Sequence, residues 1–94
     1  MSDLNHPTHS LDIEFSDNSI LSSLFGVNDI NIQTLEKINN VKIKYRGNKV
    51  KILGSAKSIK ITKKELLNLF EEAKKGIEID EEKIDKEIKK ETKK

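Results

Sequence analysis

The sequence predicts a two-layer α+β domain, a three-stranded antiparallel sheet with helices on one face, and three observations carry that expectation. Residues 11–15 and 41–52 alternate apolar and charged side chains with the period of a half-buried strand. The segments between and after them place apolar residues at helical spacing. The chain has 94 residues, of which 34% are hydrophobic, enough for one thin core but not for a second domain or a deep catalytic cleft. With no cysteine, disulfide scaffolds, thiolate zinc sites and cysteine nucleophiles are excluded, and a reducing, cytoplasmic address is the expected one. No apolar run approaches the ~18 residues of a membrane span, and the polar N-terminus lacks an export signal.

In chain order, residues 1–10 have neither periodicity nor apolar content and are expected to be a disordered lead-in. His6 and His9 lie three apart, but Pro7 interrupts any helix that would align them and no third ligand is near, so a metal pair is not expected. Leu11-Asp12-Ile13-Glu14-Phe15 is the first strand. Ser16, Asp17 and Asn18 offer caps for a short helix whose apolar face is Ile20, Leu21, Leu24 and Phe25, ended by Gly26 in a left-handed conformation. Asn28 or Asp29 can cap a second helix with apolar positions Ile30, Ile32, Leu35 and Ile38, stopping at Asn39-Asn40.

Val41 to Leu53 is the most informative stretch. Gly47-Asn48 is a two-residue turn signal, and a two-residue turn pairs Arg46 with Lys49, Tyr45 with Val50, Lys44 with Lys51 and Ile43 with Ile52. Val41, Ile43, Tyr45, Val50 and Ile52 then share a core-facing side, while Lys42, Lys44, Arg46, Lys49 and Lys51 share the other. A slip of one residue would bury lysines, so the pattern supports this register independently of the turn. By the same register Tyr45 is expected in the core rather than as a base-stacking platform.

Two readings compete for residues 54–76. A long helix from near Ser55 carries Ala56, Ile59, Leu66, Leu67, Phe70 and Ala73 on one stripe, with Ile61 and Leu69 off it. Alternatively Ser58-Ile59-Lys60-Ile61 is a further strand and Thr62-Lys63-Lys64-Glu65 a capping box that starts the helix at residue 63. The long helix is favoured because Ala56-Lys57 is a poor strand opening. Ala73-Lys74-Lys75-Gly76 ends it in either case. Residues 77–94, a Glu/Lys-rich helix with only Ile84 and Ile88, have too little apolar face to dock firmly and are expected to be a charged linker or tail beyond a domain of residues 11–76.

The net charge of +2 conceals a blocked distribution. Residues 1–36 hold six acids and no Lys or Arg, residues 37–64 hold ten bases and no acid, and residues 65–94 hold ten acids and eight bases. A basic segment of this kind attracts a polyanion by counterion release; the bland alternative is neutralisation within the folded molecule. Five like charges on one sheet face repel. The first strand can offset them in part, since Asp12 and Glu14 would oppose the lysines if it lay beside the second hairpin strand.

The expected order, strand, helix, glycine turn, helix, strand, strand, helix, is similar to that of a type I KH module, whose G-x-x-G loop between the first two helices clamps the backbone of single-stranded nucleic acid. More specifically, Asp17-Asn18, the run Leu24-Phe25-Gly26-Val27-Asn28-Asp29-Ile30-Asn31-Ile32, Arg46-Gly47-Asn48-Lys49-Val50-Lys51-Ile52-Leu53-Gly54 and Ala73-Lys74-Lys75-Gly76 resemble the KH-like N-terminal region of the bacterial PhoH-like family, over roughly residues 11–90. That resemblance implies an RNA-binding accessory domain joined to a P-loop ATPase, working in RNA metabolism or ribosomal RNA maturation beside an endoribonuclease. Two departures matter. No G-x-x-x-x-G-K-[ST] occurs, so the ATP-binding half is absent from this chain, and neither enzymatic activity nor a cofactor is expected of it. Asp29 stands where a KH loop has its second glycine, and a carboxylate there repels a phosphate by about 1 kcal/mol or more. The nucleic-acid-binding residues expected are therefore Gly26, Val27 and Asn28 of the loop and, more strongly, Lys42, Lys44, Arg46, Lys49 and Lys51 of the hairpin, with RNA as partner. The alternative is an assembly module that positions an ATPase or nuclease without touching RNA.

Overall fold

The structure, a computed structural model, describes residues 9–92. His6 and the first eight residues of the expected lead-in lie outside the described residues, whereas His9 and Ser10 already belong to the first strand, opposite Gly54 and Leu53. The elements are β1 (His9–Glu14), α1 (Asn18–Phe25), a 3-10 turn (Val27–Asp29), α2 (Ile30–Asn39), β2 (Lys42–Arg46), β3 (Lys49–Gly54), α3 (Ala56–Lys74) and α4 (Glu81–Thr92). They form an α+β fold, a three-stranded antiparallel sheet in the order β1-β3-β2 with four α-helices.

Local chemistry accounts for the boundaries. Asp17 caps α1, its Oδ1 accepting from the Ser19 and Ile20 N–H groups at 2.8 and 3.3 Å. Gly26 ends that helix at φ 82°, ψ 178°, a glycine region distinct from the left-handed helical one expected. A Cβ there would meet the Asn31 side-chain nitrogen at 2.8 Å, so glycine is required by space as well as by conformation. The hairpin has the expected register, Arg46 opposite Lys49 through Ile43 opposite Ile52. Gly47 takes the positive φ of 61° and Asn48 does not, the II′ pattern. Asn48 also holds β1, accepting from the Phe15 N–H and donating to the Phe15 carbonyl.

The long-helix reading of residues 56–74 is the observed one, with Ser55 as N-cap. Its buried stripe is Ile59, Thr62, Glu65, Leu66, Leu69 and Phe70. Leu69 is therefore in the core and Leu67 is 38% exposed, a correction to the expected face. The apparent capping box supplies polar core contacts instead, since Asn39 of α2 donates to Thr62 Oγ1 at 3.0 Å and to Glu65 Oε1 at 2.7 Å. The helix closes in a Schellman motif, Gly76 N–H to the Ala73 carbonyl and Ile77 N–H to the Glu72 carbonyl.

α4 is not an undocked tail. Ile84 is fully buried and Ile79, Glu87 and Ile88 nearly so. What the apolar content lacks is supplied by polar fasteners. Asn31 donates to the Ile79 carbonyl at 2.9 Å, Asn68 to Glu87 at 2.7 Å, and Lys83 pairs with Glu72 at 2.8 Å. Asn31 also donates to the Leu24 carbonyl, so one buried amide ties the end of α1 to the lead-in of α4.

Candidate nucleic-acid interface

Ile13, Ile43, Val50 and Ile52 face the helices and are buried, while the residues between them are exposed on the other side of the sheet. Lys42, Lys44, Arg46, Lys49 and Lys51 thus stand together on a sheet face that no helix covers. Strand spacing sets them roughly 5 Å apart across the hairpin and ~7 Å apart along it. β1 lies beside β3, placing Asp12 opposite Lys51 and Glu14 opposite Lys49. Only the first of these is an ion pair, Lys51 Nζ to Asp12 Oδ1 at 3.8 Å with both groups well exposed, a contact worth at most ~1 kcal/mol. Among the described residues, Lys42, Lys44, Arg46 and Lys49 have no carboxylate partner. Lys44 directly faces Lys51 and Arg46 faces Lys49, so repulsion on this face exceeds what β1 offsets.

The loop residues lie elsewhere. Val27 is 80% exposed, and the backbone N–H groups around it turn inward: Gly26 to the Ser22 carbonyl, Asp29 to Gly26, Ile30 to Val27. Asn28 and Asp29 both adopt positive φ, 54° and 58°. Asp29 occupies the N-cap position of α2 without capping it. Its carboxylate instead accepts a hydrogen bond from the Tyr45 hydroxyl. Gly26, Asp29, Tyr45 and Gly47 line a cleft of about 150 Å³, so the glycine loop meets the hairpin tip but not the cations.

Tyr45 corrects the expectation of a core residue. It lies on the helix side of the sheet as the register requires and packs on Phe25 at the end of α1, with ring centroids 4.4 Å apart, yet it is 43% exposed. The hydrogen bond to Asp29, then partial desolvation and the Asp29 charge, raise its hydroxyl pKa above the ordinary 10.0. A raised folded-state value means that this contact's contribution to stability is complete below the unfolded pKa and is lost as pH rises through the folded one. As the chain has one tyrosine and no tryptophan, ultraviolet absorbance titration reports this group alone. The phenol is expected to ionise above the free-tyrosine value, and Asp29→Asn to bring it back; ionisation at the ordinary value in both proteins would show that the contact is absent in solution.

No family model, curated protein or solved structure matches the chain. No helix among the described residues is long and apolar enough to cross a membrane.

Proposed function

We propose that the chain is an RNA-binding accessory domain that holds the phosphate backbone of single-stranded or structured RNA on the uncovered face of its sheet. The observation that carries this is the gathering of five cations on one solvent-facing surface, four of them without a carboxylate partner among the described residues. The element order and the strand order are compatible with a KH-like module of type I, and on that reading the chain serves a PhoH-like ATPase in cytoplasmic RNA metabolism, beside a ribosomal RNA endoribonuclease. The loop of Gly26, Val27 and Asn28 is the lesser contact, because its neighbouring carboxylate repels phosphate and the N–H groups of Gly26, Asp29 and Ile30 are used internally.

Fluorescence anisotropy with a labelled single-stranded RNA tests the proposal. Three to five phosphate contacts predict micromolar or weaker binding whose log affinity falls against log salt with a slope of roughly −2 to −3.5. A flat titration at low salt would dismiss the proposal and leave the assembly-module reading.

A further inference from the structure

On the helical side of the molecule the surface has the opposite character. Six large hydrophobic residues among the described ones are exposed, and four of them, Val27, Ile30, Ile38 and Ile77, border two clefts beside α2 that share Glu81 and together make a furrow. Ile30, Thr34 and Ile38 recur at i, i+4 and i+8, a stripe ~12 Å long with an isoleucine at each end, flanking the buried Asn31 and Leu35 of α2. Its upper part opens into a cleft of about 700 Å³ and its lower part into one of about 340 Å³, and Glu81 lines both. The wall is acidic throughout. Glu78, Asp80 and Glu81 line the upper cleft, Glu81, Glu82 and Asp85 the lower, and among the described residues no Lys or Arg lines either. Glu82 and Asp85 pair with Lys86 and Lys89 along α4, at 3.9 and 3.2 Å, in exposed i,i+4 contacts worth ~0.3–0.5 kcal/mol, weak enough to exchange for a partner's cations.

We infer that the α2–α4 furrow docks a basic amphipathic helix of another protein. Apolar side chains at helical spacing would lie on the Ile30–Ile38 stripe, and flanking Lys or Arg would meet the carboxylates of α4 and its lead-in. Charge complementarity selects this occupant over a symmetric dimer of the chain, since furrow against furrow would set one acidic wall against another. The inference is independent of RNA binding, which uses the opposite layer of the fold.

The probe is a synthetic peptide of about 15 residues with leucines at i, i+4 and i+8 and lysines on either flank, long enough to span the stripe as a helix. Added to the isotopically labelled full chain, it is expected to produce saturable amide shifts confined to α2, α4, residues 77–80 and the adjoining Ser22 to Val27. Ile30→Lys with Ile38→Lys should weaken binding at least about tenfold, the loss expected for central apolar anchors, while leaving the thermal melt nearly unchanged because both side chains are half exposed. Glu82→Gln with Asp85→Asn should weaken it at low salt only. The inference is overturned if no saturable shifts develop at millimolar peptide, if a peptide with the same leucines and glutamate flanks binds as tightly, or if sedimentation shows a dimer of the chain that the Ile30/Ile38 variant abolishes.

Discussion

Lys44→Glu combined with Lys51→Glu is expected to reduce affinity for single-stranded RNA by roughly a hundredfold at low salt and to make the salt slope shallower by about 1.4, the share of two phosphate contacts. These side chains face each other across the hairpin on the uncovered sheet face, and both are exposed, so the core is untouched. The single variant Lys44→Glu separates binding from folding more sharply. Its carboxylate would face Lys51 in place of a like charge, so hairpin stability should rise by a few tenths of a kcal/mol while RNA affinity falls. Stability and affinity moving in opposite directions is a result that general unfolding cannot imitate. Calorimetric or circular-dichroism melts run beside the anisotropy titrations would show it.

Ile84→Ala should cost about 2–4 kcal/mol and lower the melting temperature by roughly 10 °C or more, because the side chain is fully buried and its loss leaves a cavity between α4 and the rest of the core. A loosely attached charged tail would register almost nothing. The effect would also reach the end of α1, since Asn31 links the Leu24 and Ile79 carbonyls and α4 holds one side of that link in place. Thermal unfolding of the full chain, with wild type and variant compared under identical conditions, measures it directly.

The hairpin was legible because its two faces differ so strongly that one register alone keeps lysines out of the core, and the glycine of the turn agrees with it. Charge offered a place for β1 as one candidate, two acids set against a basic strand, and β1 does lie beside β3. Where the sequence misled, polar residues served as interior contacts. Thr62 and Glu65 resemble a helix start but meet Asn39 inside the structure, and the buried stripe of α3 that includes them takes in Leu69 and leaves Leu67 exposed. α4 was underestimated for the same reason, because counting isoleucines omits the amide and carboxylate contacts of Asn31, Asn68 and Glu87. Asp29 follows a glycine loop at a position that normally caps a helix, yet its partner is a tyrosine 16 residues away, a pairing that no local pattern announces. Tyr45 obeyed the alternation and still reached solvent, since alternation assigns a face of the sheet and not the extent of the layer covering it.

The most direct test of the central claim is amide and lysine side-chain shift mapping of the labelled chain with a short single-stranded RNA. Shifts are expected to concentrate at Lys42, Lys44, Arg46, Lys49 and Lys51 and to fade as salt is raised. Shifts centred on Gly26 to Asn28 with the hairpin lysines unmoved, or none at low salt, would contradict it.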